Sequence, residues 1–307
     1  MASFRINPAL PVPREMRRAI LEQVELAEAA LQHAGGHDRE RRARGIHDFR
    51  KAGKRIRAGL QLLRRAGDDV TVTLASHGFR EAARALSGLR DRDALDLILG
   101  EEAKSLPAAD RGSSLEAWRM LLLPPPPARN AGRADRLAEE IAARLRVIRT
   151  RWQRAHLERM DVNRLAAALR RSWARARRRF HGEWNPASAE WIHETRKRTQ
   201  RVLHQVTLVE WWVGAAWTRM RRDLERTAER LGEARDCGLL VDRAESLRAG
   251  PESRLEWLRK RLCGRRDAAL AECRRLGRAA LRRRPAEVEK AVLRPARRPR
   301  KTVRKPR

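Results

Sequence analysis

Two stretches of this 307-residue chain place a histidine among closely spaced cations. In IHDFRKAGKRIRAGLQLL (Ile46–Leu63), His47 is followed by Arg50, Lys51, Lys54, Arg55 and Arg57. In IHETRKRTQRVLHQVTLV (Ile192–Val209), His193 is followed by Arg196, Lys197, Arg201 and His204. Arginine offers a planar fork of donors that grips oxyanions, and lysine a mobile point charge. Histidine, with an unperturbed pKa near 6.5, adds charge when protonated or a single donor when neutral. These groups hold an anion. No clustered carboxylates stand out that would carry Mg²⁺ for bond cleavage, so no catalysis and no catalytic residue are expected.

Such rows need a helix to line them up. At about 100° per residue, His47, Arg50, Lys51, Lys54, Arg55 and Arg57 fall on one face, while Phe49, Ile56, Leu60 and Leu63 fall on the other. The second stretch repeats the pattern, with His193, Arg196, Lys197, Arg201 and His204 opposite Trp191, Val202, Val206 and Val209. Any amphipathic helix turns its charges outward. Here, though, the cations lack carboxylates at helical spacing, apart from Asp48 and Glu194 beside the histidines. A stripe of like charge costs stability unless an anion supplies the missing sign.

The two stretches are copies, offset by 146 residues. Downstream of each comes a second shared motif: LSGLRDRD (Leu86–Asp93) and LGEARDCG (Leu231–Gly238), offset by 145. Each reads as a small-residue turn carrying an Arg-Asp pair. Asp91 and Asp236 suit helix caps there, with Arg90 and Arg235 as secondary anion-binding candidates. Ala, Leu, Arg and Glu dominate, with apolar residues recurring at three and four, which predicts an all-α chain. Breaks fall at Leu123–Pro127 and at Gly182–Pro186. The division expected is one helical bundle over 1–127, a second over 128–284, and a disordered Pro/Arg-rich tail over 285–307.

Composition narrows the partner. Lys and Arg total 71 against 39 Asp and Glu, a formal charge of +32, while 42% of residues are apolar. That is a globular apolar share under a field that calls for a polyanion. No secretory signal and no membrane span are expected. Cys237, Cys263 and Cys273 lack metal or redox spacing, so a reduced, cytoplasmic protein without cofactor or metal is expected. His33 and His37 share helical spacing, but two glycines separate them and no third ligand is near. His77, His156 and His181 read as surface or packing residues. Arg175, Arg177, Arg178 and Arg179 form a basic run that charge alone assigns equally to solvent or to a binding surface.

The doubled His-x-x-Arg-(Lys/Arg) helix with its Leu-Gly-x-x-Arg-Asp partner resembles the CHAD family, the conserved histidine α-helical domain, over about residues 8 to 284. The resemblance implies two pseudo-twofold-related helical bundles whose basic faces meet in a shared groove or pore. It also implies binding of inorganic polyphosphate, and the setting expected for such a protein is the cytoplasm, at polyphosphate granules. By motif position it carries a binding role onto His47, Arg50, Lys51, Lys54, Arg55, Arg57, His193, Arg196, Lys197 and Arg201. The second copy departs from the pattern. Gln200 and Leu203 stand where basic residues are expected, and His204 stands where the family often has tyrosine.

Nucleic acid is the alternative polyanion, with the basic tail as an added contact, since charge alone does not separate the two. Zinc-finger spacing and RNA-recognition aromatic motifs are absent. His193-Glu194-Thr195-Arg196 resembles the acceptor box of sensor histidine kinases, but no proline follows it and no Gly-rich ATP segment accompanies it. A CYTH-type triphosphatase would need a Glu-x-Glu-x-Lys strand before His47, and none is present.

Overall fold

The computed structural model describes residues 4–34, 38–64, 69–85, 88–125, 131–186, 188–247 and 253–294. Among them the fold is helical throughout. In chain order it comprises α1 (Val12–Ala34), α2 (Arg39–Leu63), α3 (Asp69–Ala85), α4 (Gly88–Ala103), α5 (Ala108–Leu122) and α6 (Ala131–Gln153). Then come α7 (Val162–His181), α8 (Ala189–Val213), α9 (Ala216–Ser246), α10 (Arg254–Ala280) and α11 (Pro285–Leu293).

Local chemistry sets several ends. The Asp38 carboxylate accepts from the Glu40 and Arg41 amides to start α2, and Ser188 Oγ accepts from the Trp191 amide to start α8. Gly214, at φ 88°, ends α8 with its amide donating to the Glu210 carbonyl; that left-handed backbone favours glycine. Gly277 serves a different need, because a Cβ there would sit 2.2 Å from the Phe180 ring. α10 and α7 therefore approach more closely than any larger residue allows.

The apolar faces pack as the periodicity predicts. Phe49, Ile56, Leu60 and Leu63 of α2 and Val202, Val206 and Val209 of α8 are all buried. Trp191 is half-buried, its ring set edge-on to Trp184 at 4.7 Å. One large apolar cluster runs through both copies. A smaller one joins Leu99 and Trp118 of α4 and α5 to Leu240 and Leu258 of α9 and α10.

The duplication extends beyond the motifs. A shift of 146 carries α1 onto α7, α2 onto α8, α3 and α4 onto α9, α5 onto the start of α10, and α6 onto α11. Equivalent helices pack equivalently: α1 on α2 and α7 on α8, α6 against α1 and α11 against α7. Across the copies, α2 meets α8 and α7, and α4 and α5 meet α9.

Three expectations change. α6 packs on α1 and α3, so packing divides the chain at the loop after Gln153 rather than between 127 and 128. The segment from Pro285 does not begin a disordered tail. α11 buries Val288 and Val292 against the bundle, the Trp212 indole donates to the Val292 carbonyl at 2.7 Å, and Arg170 pairs with Glu289. Residues 295–307 lie outside the described residues. Finally, the second Leu-Gly-x-x-Arg-Asp motif is no turn. It lies within α9, where Asp236 accepts from Arg235 Nη1 at 2.8 Å instead of capping a helix.

Candidate anion-binding cleft

The basic faces of α2 and α8 open into one cleft of about 590 Å³, closed on a third side by α3. α2 contributes Arg50, Lys54 and Arg57, with Arg64 just past its end; α8 contributes His193, Arg196, Lys197, Arg201 and His204; α3 adds His77, Arg80 and Arg84. Nine Lys or Arg and three His thus share walls that, among the described residues, hold no Asp, Glu, Phe or Trp.

Packing across the copies sets the rows in register. Gln205, fully buried on α8, donates from Nε2 to the Ala58 carbonyl of α2 at 3.1 Å. One turn of α8 away, Arg201 lies beside Arg57: burial first, and then Arg57, pull the Arg201 guanidinium below its ordinary pKa. Burial, with Arg80 next, does the same to Arg57. Both stay cationic at physiological pH, so the cleft floor stores repulsion that an oxyanion would relieve.

The histidines answer to the same field. Burial, then Arg55, Lys54, Lys51 and Arg57, push His204 down to about 3. Burial, then Lys197, hold His193 below its usual value, with Arg235 adding to this and Glu190 and Glu194 opposing it. Both are therefore neutral at pH 7, each offering one ring N–H.

The second motif positions the first. A Cβ on Gly232 of α9 would lie 3.6 Å from Arg196 Nε, so α9 backs the Arg196 side chain as it enters the cleft. Lys197 is held at 2.5 Å by Glu194, and His77 Nδ1 lies 3.2 Å from Glu81.

Eight of the thirteen sequence candidates line the cleft: Arg50, Lys54, Arg57, His193, Arg196, Lys197, Arg201 and His204. His47 and Lys51 are exposed outside it. Arg55 leaves by the opposite edge of α2, donating to Gln23 Oε1 at 3.2 Å with its guanidinium over Phe4. Arg235 pairs with Asp236 and acts on the cleft through His193. Arg90 sits on the first turn of α4, and its side chain lies outside the described residues. The α3 wall and Arg64 were missed. His77, expected at the surface, does remain exposed but lines the cleft. α3 has no duplicated signature of its own, and only its hydrophobic face marks it as a helix.

The CHAD domain family model matches residues 25–216, well over half of the chain, and the chain belongs to that family. The crystal structure of the CHAD domain from the plant Ricinus communis is similar to this fold, with a TM-score of 0.57 and 18% sequence identity. The alignment covers 91% of this chain and 96% of that one. At that identity the likeness is one of fold. No curated protein matches the sequence significantly.

Proposed function

We propose that the chain binds inorganic polyphosphate in the α2–α3–α8 cleft without cleaving it. The observation that carries this reading is the convergence of nine Lys or Arg and three His on walls whose described residues include no Asp or Glu, with Glu194 paired to Lys197 and Glu81 to His77. Membership of the CHAD family, associated with polyphosphate, supports the same ligand. Polyphosphate is a flexible chain with about one charge per internal phosphate and no base to stack. Walls whose described residues include no Phe or Trp favour it over a single-stranded nucleic acid, whose bases gain about 1–3 kcal/mol each by stacking. Among the described residues the walls hold no carboxylate to carry Mg²⁺, which favours binding over hydrolysis. The setting that follows is cytoplasmic, at polyphosphate granules, and no helix among the described residues is long and apolar enough to cross a membrane.

The test is a titration of the full chain with long-chain polyphosphate against Arg50→Ala/Lys54→Ala/Arg57→Ala. At roughly 1 kcal/mol per lost phosphate contact, affinity falls about 100-fold. The slope of log K against log salt becomes shallower by about 2, at about 0.7 per phosphate contact. Wild-type affinity in the triple variant refutes the cleft. In competition, polyphosphate displaces DNA at low concentration; the reverse order makes nucleic acid the ligand.

A further inference from the structure

The field of the cleft does not stop at its rim. Arg201, on the floor, is acted on by Arg57 within the cleft and by Arg175 and Arg198 outside it. Arg198, half-buried on α8, is acted on in turn by Arg179, Arg178 and Arg175 of α7. Arg175, Arg178 and Arg179 share one face of α7, Arg198 and Arg201 lie one turn apart on α8, and α7 packs on α8, so cations lead from Arg201 at the cleft toward the surface between the two helices. None of Arg175, Arg178, Arg179 and Arg198 lines the cleft itself.

A helix C-terminus explains part of such a cluster, since cations in a last turn gain about 0.3–1 kcal/mol from the helix dipole. It explains Arg178 and Arg179, in the last turn of α7. It leaves Arg175, further back on α7, and Arg198, in mid-α8, unaccounted for. The acid that acts on Arg198 is Glu194, which Lys197 already holds at 2.5 Å. The cluster is also held in place. The Arg179 guanidinium lies over Trp191 at 5.5 Å, Trp191 sits edge-on to Trp184, and Arg179 Nε is buried with no hydrogen-bond partner among the described residues. Aromatic backing fixes the direction of a cation that solvent would otherwise leave free to turn.

The feature belongs to one copy only. Shifting by 146, Arg175, Arg178, Arg179 and Arg198 fall on Ala29, Gln32, His33 and Ala52 of the first copy. The duplicated frame thus carries four arginines on one side and no Lys or Arg on the other.

We propose that the α7–α8 arginines form an extension site: a polyphosphate chain too long for the cleft leaves it over Arg201 and continues along Arg175, Arg198, Arg178 and Arg179. This rests on the cleft reading and adds a preference for long chains, built into one of the two copies. Tripolyphosphate, confined to the cleft, gains nothing from it.

The experiment compares tripolyphosphate with a long-chain polyphosphate on the full protein, over a series of salt concentrations. The variants are Arg175→Gln/Arg178→Gln/Arg198→Gln and the cleft variant Arg50→Ala/Lys54→Ala/Arg57→Ala. For the extension variant, long-chain affinity is expected to fall and its salt slope to lessen by about 2, while tripolyphosphate binding is unchanged. Its thermal midpoint stays close to wild type, since the repulsion removed offsets the dipole gain lost at Arg178, and Arg→Lys at the same three positions restores the slope. The proposal is overturned if long-chain affinity and slope match wild type, or if both ligands weaken equally. The cleft variant separates the two readings. If it keeps wild-type affinity for both ligands, the cleft reading falls; if it loses both while the extension variant behaves as wild type, only the extension falls.

Discussion

Replacing His204 with glutamine is expected to make the fold less sensitive to acid. In the native chain, burial and the cations Arg55, Lys54, Lys51 and Arg57 push the imidazole from 6.5 to about 3. Between those values the unfolded chain holds a proton that the folded chain refuses. Stability is therefore complete above about pH 6.5 and is lost as pH falls toward the folded value. At about 1.4 kcal/mol per pH unit, the descent from 6.5 to 5 costs about 2 kcal/mol. That figure does not depend on where below 5 the folded value lies. Urea unfolding of wild type and His204→Gln at about pH 7 and pH 5 reads it directly, provided m is unchanged. His193 and His181, also held low, titrate in both proteins and cancel in the comparison. Wild type should lose about 2 kcal/mol more than the variant. Equal losses would show that His204 takes up its proton in the fold, and that α2 does not impose the field assigned to it.

Arg201→Met should raise stability by about 1 kcal/mol, because it removes a buried charge disfavoured by burial and by Arg57, while weakening polyphosphate binding. A loss in both, measured by melting and titration, contradicts the stored repulsion. Ending the chain after Arg284 should cost about 3 kcal/mol, from exposing the contacts of Val288 and Val292, whereas ending it after Arg294 leaves the thermal midpoint unchanged. Equal midpoints for the two truncations would make α11 dispensable. Bound phosphates should offset Lys197 and Arg235, which hold His193 down, so polyphosphate binding takes up protons and tightens as pH falls toward 6. Calorimetry in two buffers of different ionisation enthalpy checks this, and zero uptake between pH 6 and 7 refutes it.

The helical class, the copy offset and both amphipathic rows were legible in the sequence, because period and repetition are properties of the chain itself. Phe49, Ile56 and Leu60 are buried as their spacing predicts. A wheel, however, orders residues around one axis without saying which neighbour covers which edge. Arg55 and Arg57 flank the same row, yet the tertiary structure sends Arg55 to Gln23 of α1 and Arg57 to Arg201 of α8. α11 reads as a basic tail because Val288 and Val292 make an apolar face only once α7 and α8 receive it. Arg80 and Arg84 belong to no repeated motif, and only the packing of α3 beside α2 makes them a third wall. Sequence by itself determined which helices form and which side of each is charged. Only packing between distant segments decided which charged sides face one another, because that depends on how the buried faces fit together in space.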